Sequence, residues 1–137
     1  MNQLRPKRRD RAGSNAIEFA LILPVLMSIL LGIAEWGWYF NHQLAALNAL
    51  REGARTGAVT LQEDDPTSAA ETRARAALTE LGLDGTGATV TATLSGTTPD
   101  ELITVQVAVT YDPLTGLIPT PGTLGGTLTM RLEDQVE

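Results

Sequence analysis

Residue types that often carry chemistry are scarce in this chain of 137 residues. It contains no cysteine, a single histidine, His42, and a single lysine, Lys7. The lack of cysteine excludes disulfides, thiolate nucleophiles and zinc–thiolate sites, and one histidine excludes a multi-histidine metal site. No HExxH, GxSxG or GxGxxG motif is present, and the only lysine precedes a long apolar run, so no nucleotide-binding loop can be built. We therefore expect no enzyme, no cofactor and no metal.

The charge of the chain is divided unevenly. The formal total is −6, but residues 1–13 carry a net +4, so the remainder carries −10. An acidic body argues against binding of nucleic acid. A basic flank before an apolar segment is typical of the cytoplasmic side of a membrane helix. This pattern predicts a cytoplasmic N-terminus, a body on the far side of the membrane, and membrane lipid as a partner.

An apolar run begins at Phe19 and continues without charge to Ala34. Sixteen residues fall slightly short of the roughly 20 that span a bilayer, and the aromatic stretch from Trp36 to Phe40 makes up the length. This predicts a transmembrane helix over about 19–40. Trp36 and Trp38 are typical of an interfacial aromatic belt, and Pro24 could kink the helix.

A secretory signal peptide is the alternative interpretation of this segment. Signal peptides have a shorter apolar core that is followed by a cleavage site between small residues. Here aromatic residues follow the core, and no convincing Ala-x-Ala site is present. A retained membrane helix is therefore favoured.

Two glutamates border the apolar run, Glu18 at its start and Glu35 just before the aromatic residues. A carboxylate near hydrocarbon is costly, needs a partner and often marks function. Either acid could simply flank the helix at a membrane interface. This interpretation is favoured for Glu35, whereas a functional role is favoured for Glu18.

Helical spacing continues beyond the aromatic residues, and it predicts one long helix over about 15–57. Gly53 and Gly57 are expected to weaken its end, and Glu52 and Arg55 to form a weak pair in solvent. The apolar residues that recur every three or four positions are Leu44, Leu47, Leu50, Ala54 and Ala58.

The remaining residues, 61–137, are expected to form a small α+β domain that follows a long helical segment over 14–60. Ser68 and Glu71 have the spacing of a capping box, which predicts the start of a short helix, and Gly82 can end it. Together these features predict an α+β fold: a long N-terminal membrane-spanning helix, a short helix and a small three-stranded antiparallel sheet.

Alternation of apolar and polar residues predicts the three strands, at 88–94, 102–111 and 127–133. A hairpin loop over 95–100 joins the first two, and a loop over 112–126, rich in proline and glycine, joins the last two. The second loop is a candidate contact surface. The favoured alternative is that its apolar residues pack under the sheet; they are Leu114, Leu117 and Ile118.

The order of a basic stretch, Gly13, Glu18 and an apolar helix resembles the processing site of type IV prepilin-like proteins. More widely, the N-terminal part resembles the TadE-like family, the minor pseudopilins of tight-adherence (Flp/Tad) pilus systems. The matching segments are RAGSNAIEFALILPVL at 11–26, GIAEWGWYF at 32–40 and ALREGARTGAV at 49–59.

The resemblance implies a leader, residues 1–13, that a prepilin peptidase removes between Gly13 and Ser14. It implies that Glu18 and Phe19 act in assembly, with other pilin and pseudopilin subunits and inner-membrane platform proteins as partners. The family's REGAR pattern lies at Arg51, Glu52, Gly53, Ala54 and Arg55. These residues are interpreted either as a charged junction between the long helix and the sheet or as a solvated helix face.

The expected function is therefore that of a minor pilin in the bacterial inner membrane, which initiates, caps or joins a thin pilus. The alternative is an unprocessed, single-pass protein whose outer domain binds a partner or acts as a scaffold. In that case Gly13 and Glu18 would owe their spacing to coincidence.

Overall fold

The computed structural model describes residues 11–97 and 100–133, so most of the expected leader lies outside the described residues. The chain forms a long helix, a short helix and a three-stranded antiparallel sheet, which confirms the predicted fold class. The elements are α1 (Arg11–Val59), a 3-10 turn (Gln62–Asp64), α2 (Pro66–Glu80), β1 (Thr89–Ser95), β2 (Leu102–Thr110) and β3 (Thr123–Arg131).

Helix α1 is continuous over 49 residues and contains Pro24 without a break. At about 1.5 Å per residue it is roughly 70 Å long. No residue from Gly13 to Ala34 is buried. Within the described part of the chain, Gly13–Val59 is the one helix whose length and composition would let it cross a membrane.

The outer part of α1 packs closely on α2 through small residues. A Cβ atom added at Gly53 would lie 2.7 Å from Ala74 Cβ and 2.8 Å from Ala70 O. A Cβ at Gly57 would clash with the Ile103 side chain and lie 2.8 Å from Ala70 Cβ. Both glycines therefore have a packing role that the sequence did not indicate, because they allow two helix backbones to approach.

The predicted capping box of α2 is also wrong. The N-cap is Asp65, whose Oδ1 accepts from Ser68 N at 3.2 Å and from Thr67 Oγ1 at 2.6 Å. These bonds, first that from the Thr67 hydroxyl and then that from the Ser68 N–H, lower the pKa of Asp65 below its ordinary value of 3.8. Glu71 instead accepts from the Ala92 N–H at the edge of β1, at 2.9 Å.

The three strands pair in chain order, β1 with β2 and β2 with β3. Val107 lies opposite Val90 and Gly126, so the alternating apolar residues share one face. This face packs on α1 and α2. The residues that form the buried core are Ala46, Ala49, Leu50, Ala54, Ala58, Ala70, Ala74, Ala77, Leu78, Ala88, Val90, Ile103, Val105, Val107, Val109, Tyr111, Leu124 and Leu132.

Strand β3 begins earlier than its sequence pattern predicts, at Thr123 rather than at 127. The predicted loop over 112–126 is therefore too long. Gly125 explains the difference. It has a φ of 118°, and a Cβ there would clash with Val107 O, so glycine allows the strand to start within a segment that looks like a loop.

Candidate functional site

The expected cleavage site lies near the N-terminal limit of the described part of α1. Gly13 and Ser14 are both helical and exposed. A Cβ atom added at Gly13 would meet nothing within 4 Å. The peptide bond between these residues thus lies in an uncrowded, accessible part of the helix.

Glu18 lies on the exposed surface one turn further along. Its Oε1 accepts from the Ser14 hydroxyl at 3.3 Å. Phe19, the next residue, is also exposed. The residue that would become the new N-terminus and the predicted assembly carboxylate therefore lie next to each other on the helix surface.

Glu35 has a very different environment, because it is 0% exposed. Its carboxylate accepts from Leu114 N at 2.8 Å and from Thr115 at two atoms, the backbone N at 2.9 Å and the hydroxyl at 2.6 Å. The interpretation of Glu35 as an acid that only flanks the helix is wrong. It holds a loop that lies about 80 residues away in the chain.

Aromatic residues of α1 follow Glu35 along the helix. Trp36 and Trp38 are 38% and 42% exposed, as expected of residues at an interface. Tyr39 packs edge-on against Tyr111, with ring centroids 5.3 Å apart. Burial, followed by the nearby Glu35 carboxylate and Tyr39, raises the pKa of Tyr111. The packing of Tyr111 on Tyr39 thus holds the segment just after β2 beside the aromatic residues of α1.

The loop between β2 and β3 lies at the end of the domain that faces the apolar part of α1. Ile103, near the start of β2, lies beside Gly57, and Tyr111, just after the end of β2, lies beside Tyr39, so the strand runs back along α1. Leu114 and Leu117 follow, and they are 52% and 69% exposed. The alternative that these two leucines pack under the sheet is wrong.

A second side chain of α1 holds the start of β3. The Gln43 amide donates to Gly125 O at 2.9 Å and accepts from Gly125 N at 3.0 Å. An amide that makes both bonds replaces one step of strand pairing at the edge of the sheet. The sequence analysis missed this contact, and the isolated glycine pair at 125–126 was its only signal.

The REGAR segment lies at the contact between α1 and α2. Gly53 and Ala54 are buried, whereas Arg51 and Arg55 are exposed. Glu52 pairs with Arg73 of α2 at 3.2 Å, not with Arg55 as expected. The charged junction is therefore with α2 rather than with the sheet.

Arg73 also pairs with Glu80, at 3.1 Å, and Glu80 followed by Glu52 raises the pKa of Arg73. The pair with Glu52 is partly solvated and contributes little to stability. In the ranges that the structure describes, no cluster of three histidine, aspartate or glutamate residues could hold a metal ion.

Residues 13–55 match the model of the family described as TadE-like protein, which confirms the resemblance over this segment. The match starts at Gly13 and ends at Arg55, so it includes Glu18, Glu35 and the REGAR segment. No curated protein and no solved structure matches the chain. A TadE-like segment on a long apolar N-terminal helix fits a pilin-like, structural protein associated with a Tad pilus and anchored in a membrane by a single helix.

Proposed function

We propose, on the premise that residues 13–55 are a TadE-like segment, that this protein is a minor pilin of a Tad pilus. A prepilin peptidase cuts it between Gly13 and Ser14, and the mature chain assembles through α1 to initiate, cap or join the pilus. The observation that carries this proposal is that the family match begins at the expected cleavage residue and continues along an apolar helix whose first half is unburied.

The position of the proposed cut supports processing. A protease binds its substrate in an extended form, so the helix has to unwind around the cut before cleavage. Gly13 has low helix propensity, and a Cβ atom there would meet nothing within 4 Å. Unwinding at Gly13 therefore breaks no side-chain packing there, whereas the same change at Gly53 or Gly57 would disrupt the contact between α1 and α2.

Glu18 supplies the proposed electrostatic step of assembly. Before cleavage the nitrogen of Ser14 is a neutral amide, and within the described residues Glu18 accepts a hydrogen bond from the Ser14 hydroxyl at 3.3 Å. Cleavage turns that nitrogen into an amine that carries a positive charge. The Glu18 carboxylate of a neighbouring subunit gains from meeting this charge, because an unpaired carboxylate near hydrocarbon is costly.

The exposed apolar surface of α1 supplies the rest of the interaction. Its side chains face lipid before assembly and neighbouring helices afterwards. The basic leader stays in the cytoplasm and the domain beyond the membrane lies in the periplasm, as the charge distribution favours. The exposed apolar residues of this surface include Ile17, Phe19, Leu21, Ile22, Val25, Ile29 and Ile33.

The N-terminal residue and intact mass of the protein from its native membrane test processing. We expect a chain that starts at Ser14, and we expect Gly13→Leu to prevent cleavage because it places a bulky side chain directly before the proposed cut. Gly37→Leu, also at a glycine where a Cβ meets nothing within 4 Å, is the matched control and should be cleaved normally. A native chain that still starts at Met1 would favour the unprocessed, membrane-anchored protein.

The role of Glu18 is tested separately, by Glu18→Ala. We expect normal cleavage and insertion, but loss of the variant from sheared pilus fractions, as measured by immunoblotting. Ser14→Ala is the control: it removes the hydroxyl that contacts Glu18 and keeps the new N-terminal amine, so it should still assemble. Normal incorporation of Glu18→Ala would refute the pairing role.

A further inference from the structure

We propose that the loop over residues 112–122, named here the basal loop, inserts Leu114 and Leu117 into membrane lipid beside the outer end of the α1 membrane segment. The protein would then have two contacts with the bilayer, the helix and this loop. The inference rests on the proposed membrane insertion of α1. It concerns a separate part of the chain, which lies outside the family match at residues 13–55.

The height of the basal loop along α1 is the first argument. Glu35, which holds the loop, lies 17 residues after Glu18. At about 1.5 Å per residue this separation is roughly 26 Å, close to the ~30 Å thickness of the hydrocarbon core. With Glu18 at the inner boundary, the basal loop therefore reaches the outer one, level with Trp36 and Trp38.

The composition of the basal loop is the second argument. Asp112 is its only charged residue, and the ten residues after it are uncharged. Three of them are prolines, which have no N–H group to satisfy. Leu117 is 69% exposed and follows a turn at Gly116, whose φ is 69°. A charge-free tip with exposed leucines is suited to the boundary between headgroups and acyl chains.

The third argument is that several backbone N–H groups of the loop have hydrogen-bond acceptors, because an unpaired N–H group is costly in an apolar environment. The N–H groups of Leu114 and Thr115 donate to the Glu35 carboxylate, at 2.8 and 2.9 Å. The Leu117 N–H donates to the Thr115 hydroxyl at 3.3 Å. Glu35 thus acts as a positioning residue, since it binds the backbone of Leu114 and Thr115 beside the helix while the Leu114 and Leu117 side chains stay exposed.

Lipid is the occupant that this placement favours. The basal loop lies beside α1 at Glu35, directly after the uncharged apolar run that ends at Ala34, so the lipid that surrounds this run also meets the loop. Trp36 and Trp38 are partly exposed at the same height. A neighbouring subunit is the other possible occupant, and the experiment distinguishes the two.

Fluorescence quenching in vesicles of phosphatidylethanolamine and phosphatidylglycerol tests the proposal with the full chain. Because the chain has no cysteine, single cysteines can carry an environment-sensitive dye at Leu117→Cys, Leu81→Cys or Ile29→Cys. Leu81 is the matched control, an exposed leucine of the same domain that lines a shallow depression with Asn48. Asn48 is 13 residues beyond Glu35, about 20 Å further from the membrane.

Lipids with a nitroxide near the headgroup end of the acyl chain should quench the Leu117 dye severalfold more than the Leu81 dye, and aqueous iodide should show the reverse order. Adding Glu35→Gln should reduce lipid quenching at Leu117 and leave Ile29 unchanged. Equal iodide quenching at Leu117 and Leu81 would refute the proposal. A Leu117 dye shielded from both quenchers would also refute it, and would indicate a protein partner.

The Ile29 dye separates the two levels of inference. Ile29 is 11 residues beyond Glu18, about 17 Å into the bilayer, so its lipid quencher is a nitroxide near the end of the acyl chain. Strong lipid quenching there with none at Leu117 would overturn the basal-loop contact alone. Absence of quenching at Ile29 would show that α1 is not inserted, and would overturn both the membrane part of the proposed function and the loop contact.

Discussion

The two halves of α1 share one continuous backbone but have different surroundings. From Gly13 to Ala34 no residue is buried, and large apolar side chains such as Phe19 and Ile29 are exposed. From Ala46 to Ala58 the buried residues are mostly small, and they face α2 and the sheet. Glu35 lies at the border between the two halves.

This difference shows that apolar content and burial are separate properties of a helix. The first half has the side chains that suit lipid or neighbouring helices, where bulk adds contact area. The second half needs close approach to another backbone, which only glycine and alanine permit. Gly57 therefore faces Ala70 and Ile103 at contact distance, whereas a Cβ at Gly32 would meet nothing within 4 Å.

The strongest test of this comparison is Gly57→Val set against Gly32→Val. Valine at 57 would overlap Ile103 and Ala70, and we expect it to lower the free energy of unfolding of the domain by about 3 kcal/mol or more. Valine at 32 should leave the domain's stability unchanged, because no described side chain lies near it. Chemical unfolding of the full chain in detergent, followed by near-ultraviolet circular dichroism, measures both. Equal losses of unfolding free energy in the two variants would mean that the two halves of α1 do not differ in their packing.

A smaller effect is expected from Gln43→Ala, which removes the two hydrogen bonds that α1 makes to Gly125. Two part-buried hydrogen bonds should contribute about 1–2 kcal/mol. Gln106→Ala, on the exposed face of β2, is the matched control and should be near neutral. Amide hydrogen exchange at Gly125 gives a local readout. Unchanged exchange there in Gln43→Ala would show that the start of β3 does not depend on α1.

The smallest effect concerns the cap of α2, the helix that covers only the second half of α1. Since folding lowers the pKa of Asp65, its contribution is complete above the pKa of the unfolded chain. The contribution is lost as pH falls through the lower pKa of the folded chain. We expect Asp65→Ala to lower the Tm at neutral pH by a few degrees, and this difference to shrink in acid as the charge of Asp65 is lost. A smaller difference should remain at low pH, because alanine adopts the left-handed φ of 53° at this position less readily than aspartate. A difference from wild type that does not change with pH would exclude the carboxylate charge as its cause.

Sequence patterns predicted the elements well where the signal is local. The alternation in β2 predicted a strand at 102–111, and the structure has Leu102–Thr110. The pattern failed for the cap of α2, because Ser68 and Glu71 have capping-box spacing while Asp65 occupies the N-cap. Glu71 instead accepts a hydrogen bond from the Ala92 N–H of β1, which comes close to it only in the folded chain.

The candidate site was predictable at its N-terminal end and not beyond it. Gly13, Ser14 and Glu18 stand close together in the chain, so their spacing alone predicts a processing and assembly segment. The contact between Glu35 and Thr115 joins residues 80 positions apart, and no local pattern indicates it. A glutamate that precedes aromatic residues gives the same sequence pattern whether its side chain faces lipid headgroups or binds a loop.

Composition and periodicity were sufficient to establish the long apolar helix, the order of elements and the unequal division of charge, since these depend on neighbours along the chain. The close packing at Gly53 and Gly57, the pairing of Gln43 with Gly125 and the burial of Glu35 were decided by the tertiary structure. Each of these depends on which backbone approaches from a distant part of the chain. Helix propensity and local spacing do not describe that approach. Gly53 and Gly57 were therefore interpreted as weak positions and Glu35 as a flanking acid, and the contact of Gln43 was missed.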